Sequence, residues 1–330
     1  MAYETLSQGI KLYDQYIQAA RLAENTRKNK LQVLSHAQKV WGNPVIRRVK
    51  HSDVSDYFDA YPEWSPKTRN LYLGGLRDFF TFCRNAEITP FDFDPTRGWR
   101  NIREPASERF WLPPTEFPQL LNAAPHPRDR MILAVGLFAL LRGSETRILS
   151  FGDVNLRNGK LHVYRPKTRQ EVQLPIVLEL EEEFERYFDW VRVTQGEIMP
   201  SWVLTPVQKI NTFTGPGGAS IPNMGMKMTT QYEHIYQPVR KAFVRLGYDL
   251  PGKTGNHALR RSGARMLLDF FRQVEGEQSA VLRVSNMLGH KNLKDTMTYI
   301  GLDLEVEQLH VKLRGTRVLA NPADRVLKVV

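Results

Sequence analysis

Residues 253–302 read KTGNHALRRSGARMLLDFFRQVEGEQSAVLRVSNMLGHKNLKDTMTYIGL. His257 and Arg260 stand three positions apart, Leu288-Gly289-His290 forms a triplet, and Tyr299 follows after nine more residues. On a helix, positions i and i+3 share a face, so imidazole and guanidinium can converge on one small target. An anion is the expected target, because the planar guanidinium fork suits phosphate or carboxylate and a histidine moves protons near neutral pH. A tyrosine at fixed spacing then points to a nucleophile. Singly, each feature has an ordinary explanation: a surface His–Arg pair, a helix ending at a C-cap glycine, a packed tyrosine with a wet hydroxyl. Their joint order is what carries weight, and it directs attention to the upstream chain.

The chain has 330 residues, enough for about two domains. Its formal charge of +11, from 46 Lys and Arg against 35 Asp and Glu, points to a polyanionic partner, nucleic acid or an acidic membrane surface. No apolar run approaches the roughly 18 residues that span a bilayer, and Asp14, Gln15 and Gln18 interrupt any signal-peptide pattern. A cytoplasmic protein without a membrane partner is therefore expected. The single cysteine, Cys83, excludes an internal disulfide framework and a cysteine-cluster zinc site, and is expected in a helix core. HExxH, P-loop and acidic metal-loop patterns are all missing from the sequence, so neither a nucleotide nor a metal cofactor is expected.

The first hundred residues read as helices. Ile10, Tyr13, Ile17 and Ala20 recur at helical spacing, as do Leu31, Leu34, Ala37 and Trp41 before Gly42; a short helix is expected after Ser52. Ser65-Pro66 announces a further helix carrying Leu73, Leu76, Phe79, Phe80 and Cys83. Its polar faces, and those of its neighbours, carry Arg27, Lys28, Lys30, Lys39, Arg47, Arg48, Lys50, Lys67, Arg69 and Arg77. A charge run is by default a solvated face, but in so basic a chain Arg27, Lys28, Lys30, Lys67 and Arg69 become candidates for phosphate contact. Between Ile88 and Pro114 prolines break the pattern like a linker, which sets domains at 1–105 and 106–330.

In the second domain Thr115 can cap a helix through Ala124, and Arg128 to Leu141 is apolar enough for a buried helix ending at Arg142-Gly143-Ser144-Glu145. Lys160–Arg165 and Gln170–Leu174 alternate around Pro166–Arg169 and predict a β-hairpin, with Lys167 at its turn. Residues 176–193 read as a helix and 205–227, rich in Gly, Pro, Asn and Thr, as a long loop. After Tyr299, a short helix over 302–311 and a terminal strand over 325–330 are expected.

The set H-A-L-R, L-G-H and a following tyrosine, with L-R-G-S-E and R-P-K-T-R upstream, resembles the tyrosine recombinase (phage integrase) family. The resemblance implies a mainly α fold with a small β-hairpin in the catalytic domain, preceded by a helical core-binding domain. It implies Arg142, Lys167, His257, Arg260, His290 and Tyr299 as the catalytic set, supported by Glu145. Lys160, Arg165 and Arg169 compete with Lys167 for the lysine's place. The stretch between Arg260 and the Leu-Gly-His triplet is longer than is usual in that family. The implied activity is site-specific recombination of double-stranded DNA through a 3′-phosphotyrosyl link and a Holliday junction. A homotetramer on two sites and an accessory directionality protein are its implied partners. A type IB topoisomerase, or a DNA-binding regulator without enzymatic activity, are the alternatives.

Overall fold

The computed structural model describes residues 4–104, 109–196, 198–214, 220–250, 252 and 254–302, with the backbone alone for those within 209–224. It divides into two compact units, Met1–Ser107 and Glu108–Val330.

The first unit is built from α1 (Leu6–Ala19), α2 (Glu24–Trp41), α3 (His51–Asp59) and α4 (Pro66–Asn85). Their apolar stripes meet in one core, with Leu6, Tyr13, Ile17, Leu34, Ala37, Leu76, Phe79, Phe80 and Cys83 all buried. Ser65 caps α4, its Oγ accepting the Thr68 N–H at 3.2 Å, while Pro66 fills a first-turn position where no donor is missed. Residues 88–104 differ from a free linker. Arg84 donates to Phe93 O at 3.0 Å, Arg77 to Trp99 O, and Asn70 exchanges two 2.8 Å bonds with Ile102. The segment lacks periodicity because short turns of its own and side chains of α4, rather than a ladder, satisfy its backbone.

The second unit contains α5 (Phe117–Asn122), α6 (Pro127–Phe138), α7 (Gly143–Arg147), β1 (Val154–Asn155), β2 (Lys160–Arg165), β3 (Gln170–Pro175) and α8 (Leu178–Gln195). After them come β4 (Val207–Thr214), β5 (Ser220–Met226), α9 (Tyr236–Arg245), α10 (Asn256–Glu275), α11 (Glu277–Leu288) and α12 (Leu293–Ile300). This is the expected class, mainly α with small antiparallel sheets. Helix α6 is buried on every side from Met131 to Phe138, as an all-apolar helix must be. Helix α10 crosses it so closely that a Cβ on Gly263 would collide with Leu137 O. That contact seats the start of α10 against the end of α6.

Strands β2 and β3 pair from Lys160↔Pro175 to Arg165↔Gln170, with β1 on the other edge of β2. The turn closes when Thr168 and Arg169 N–H groups donate to Arg165 O at 3.2 and 2.8 Å. Residues 205–227 correct the expectation of a loop, since β4 and β5 pair there from Val207↔Met226 to Thr214↔Ser220. The register shifts between Lys209 and Asn211, which makes Ile210 an extra residue. Val207, Ile210 and Phe213 therefore recur every third position, and the period-two signature of a strand is lost. The long stretch after Arg260 is helical: α10 and α11 run antiparallel and meet at Gly276, whose φ is 84°. The helix and strand expected after Tyr299 lie outside the described residues. No helix among the described residues is long and apolar enough to cross a membrane.

Candidate active site

The site begins where α6 stops. Leu140 takes a left-handed conformation (φ 55°), uncommon for a residue with a Cβ, and the Leu141 N–H reaches back to Val135 O at 3.2 Å. This reversal places Arg142 at the head of α7. Glu145, 2% exposed, accepts the Arg142 backbone N–H at 2.8 Å and its Nη1 at 2.7 Å, while Nη2 donates to Leu288 O at 3.0 Å.

Arg260, also 2% exposed, donates to Leu140 O and Leu288 O and stands 3.5 Å from Glu145. Burial, then the Arg142 charge, push its pKa down to about 10, so it stays a cation at neutral pH. One turn earlier is His257, exposed as a residue. Partial burial of its ring, then Arg260, Arg261, Arg142 and Lys167, hold its pKa below the usual histidine value and favour a free imidazole lone pair. Arg142, Gly143, Ser144, Asn256, His257 and Arg260 line a cleft of about 250 Å³.

His290 follows the left-handed Gly289 that ends α11. Its Nδ1 lies 3.0 Å from Thr296 Oγ1, which itself donates to Ser285 Oγ, so the ring supplies the proton and keeps Nε2 as acceptor. Burial, then Arg260 and Arg142, push its pKa down to about 4. At neutral pH His290 is therefore a neutral ring. Tyr299, on α12, sets its ring edge-on to His290 with centroids 5.3 Å apart. Its hydroxyl donates to the backbone carbonyl of His257 at 3.1 Å and not to the imidazole. Burial raises its pKa, while Arg260, Arg261 and Arg142 pull the other way.

Lys167 is exposed on the β2–β3 turn, close enough to His257 for its charge to act there. Of its competitors, Lys160 sits at the far end of β2, paired with Pro175, and Arg169 is exposed in the turn. Arg165 is 4% exposed and bonded to carbonyls of α11. Sequence reasoning missed the importance of that buried charge, and missed Arg261, whose guanidinium lies 5.1 Å from the Tyr299 ring centroid. A second arginine directly after Arg260 was the available signal.

In the first unit, Arg27 pairs with Asp14 at 2.6 Å, Lys28 with Glu24 at 3.8 Å and Lys30 with Asp78. Arg69 stacks over Phe58 at 5.0 Å, and Lys67 is exposed.

Residues 111–305 match the model of the phage integrase family. The tyrosine recombinase XerD of Pseudomonas putida is 28% identical over 258 residues, 76% of either chain. A Sinorhizobium fredii protein named as an integrase/recombinase, y4rF, is 25% identical over 173 residues, 52% of this chain and 35% of that one. The chain thus spans about a third of the one relative's length and about three quarters of the other's. A lambda integrase tetramer bound to a Holliday junction superposes with a TM-score of 0.64 at 14% identity, over 87% of this chain and 78% of that one. That likeness is one of fold.

Proposed function

Because the chain belongs to the phage integrase family, we propose that it is a site-specific tyrosine recombinase that cuts and rejoins double-stranded DNA. One observation supports the reading: Arg142, His257 and Arg260 line one small cleft, Glu145 braces the two arginines, and Tyr299 packs edge-on to His290 while bonding the His257 carbonyl, so positive charge gathers where a phosphodiester would sit. A phosphodiester resists attack because it is already an anion, and charge builds on its non-bridging oxygens in the transition state. Donors fixed in advance around those oxygens lower the barrier more than any other single device open to an enzyme.

In this reading Arg142 and Arg260 hold the non-bridging oxygens. The incoming negative charge raises the pKa of His290, which then donates from Nε2. Tyr299 O attacks phosphorus, its proton passing to the neutral His257 once the hydroxyl leaves the His257 carbonyl. The P–O5′ bond breaks and Lys167 protonates the departing oxygen, leaving a 3′-phosphotyrosyl ester that conserves the bond's energy. A 5′-hydroxyl from a second duplex reverses the step. Two duplexes carry four cuts, and four protomers with one tyrosine each supply them through a Holliday junction. An accessory directionality protein, a place on DNA in the cytoplasm, and phosphate contacts by Arg27, Lys28, Lys30, Lys67 and Arg69 of a helical core-binding unit belong to the same proposal.

The test is capture of a covalent adduct on a nicked suicide substrate carrying the chain's own attachment site, followed by joining of two such sites. No adduct on any duplex would sink enzymatic function. Relaxation of any plasmid without joining of defined sites would turn the reading toward a topoisomerase.

A further inference from the structure

Arg165 is a guanidinium in a dry place. It belongs to the same hairpin as Lys167, yet nothing in the reaction above uses it. Its Nη2 donates to Met287 O at 2.6 Å and Asn286 O at 3.2 Å, the carbonyls directly before Leu288-Gly289-His290. Its Nη1 fills the space over Gly289, where a Cβ could not fit. Its own carbonyl accepts both N–H groups that close the turn holding Lys167. One residue therefore ties the turn to the end of α11, where Arg142 and Arg260 also bond, through Leu288 O.

The cost of this arrangement argues for a purpose. The charges that act on Arg165 include Glu145, already engaged by Arg142, and the cations Arg142 and Arg260. Its Nε is buried without a hydrogen-bond partner among the described residues. A buried cation without its own carboxylate is expensive to keep, and an apolar residue could fill the volume at less cost. The three arginines instead share the carbonyl end of α11, where the helix dipole favours positive charge. Of the three, Arg165 alone reaches from the lysine hairpin.

We propose that Arg165 is a positioning residue, which fixes the Lys167 turn against the His290 end of α11 so that the Lys167 ammonium meets the departing 5′-oxygen. The inference rests on the recombinase reading above. A displacement of about 1 Å can cost on the order of 100-fold in rate, and a flexible exposed lysine gains most from a fixed base. The distinguishing property is which step suffers. Loss of Arg165 is expected to impair proton donation to the leaving group, while phosphate binding and attack by Tyr299 proceed.

The experiment compares the full chain with Arg165→Met, Arg165→Lys, Lys167→Ala and the Arg165→Met/Lys167→Ala double variant on nicked suicide substrates. One substrate carries an ordinary phosphodiester; in the other the 5′-bridging oxygen is replaced by sulfur, whose thiolate leaves without a proton. On the ordinary substrate Arg165→Met is expected to slow adduct formation by about 100-fold, Arg165→Lys by less, and the double variant to be no slower than Lys167→Ala alone. On the sulfur substrate all four are expected within a few-fold of the unaltered chain. Failure of the sulfur substrate to restore Arg165→Met, or additive losses in the double variant, would overturn the proposal and leave Arg165 as a cap of α11. Should Arg165→Met not fold, as read by its melting midpoint, Arg165→Lys, alone and combined with Lys167→Ala, decides by the same two criteria. If the unaltered chain forms no adduct on either substrate, the recombinase reading fails instead.

Discussion

A basic group of the first unit and the cleft of the second hold their positive charges differently. In the first, Arg27 faces Asp14, Lys30 faces Asp78 and Arg84 stands 3.5 Å from Asp94. In the second, Arg142, Arg165 and Arg260 lean on the carbonyls of Asn286, Met287 and Leu288, with Glu145 the carboxylate that acts on all three. A carboxylate cancels the charge it holds. A carbonyl orients a guanidinium but leaves its full charge, so the cleft keeps a deficit that a phosphate can fill. Basic residues are thus poor guides to a site by number alone. What they are bonded to decides whether their charge is still available.

If the deficit binds phosphate independently of the nucleophile, Tyr299→Phe is expected to abolish covalent adducts while leaving affinity for a single half-site unchanged in a gel-shift titration. Persistent adducts would hand the nucleophile to Tyr232, Tyr236 or Tyr248. Next in size is Glu145→Ala. Removing the buried carboxylate between the buried Arg260 and the half-buried Arg142 is expected to cost about 3 kcal/mol in denaturant unfolding. Asp14→Ala, which breaks a half-buried bidentate pair with Arg27, should lower the unfolding midpoint by less. Equal losses from the two variants would break the contrast between the units.

The cleft's charge should also be visible in pH dependence. His290 binds a proton at about 4 in the folded chain and near 6.5 when unfolded. Between those values the unfolded chain takes up a proton that the folded one refuses. This contribution is therefore intact above about 6.5 and is lost as pH falls toward 4. His290→Gln is expected to flatten that part of the melting-midpoint profile relative to the unaltered chain, although His36, His126 and His257 have lowered values too and keep some slope in both. The smallest effect sharpens the comparison within the first unit. Lys67, which no carboxylate pairs among the described residues, should lower the salt slope of DNA binding by about 1 when changed to Ala, and Arg27→Ala by less.

Features set by neighbours in sequence were legible there. Ser65-Pro66 marked the start of α4, the unbroken apolar run marked α6, and the alternation around Pro166–Arg169 marked the hairpin. His257 and Arg260 share the first turn of α10, as their spacing requires, and the fold brings Tyr299 to the His290 ring and the His257 carbonyl. The bulge at Ile210 hid β4 by replacing a period of two with one of three. Arg165 stayed hidden for a different reason: its partners lie 121 and 122 positions away, and no local pattern reports a bond to a backbone carbonyl. The Tyr299 hydroxyl shows the same limit, since no spacing in the sequence reports its bond to the His257 carbonyl.

The joint at Gly276 makes the protein convenient to handle. His257 and Arg260 open α10 and His290 closes α11, so the turn between the helices is the far end of the arm. Gly276 lies sixteen residues beyond Arg260, about 24 Å along the helix axis. Residues 273–279 are exposed, and Cys83, the chain's one native thiol, is buried with its pKa pushed up to about 12. A cysteine introduced at Gln278 would thus react alone with a maleimide dye, and a fluorophore or surface tether could be attached to an otherwise unaltered chain at that distance from Arg260.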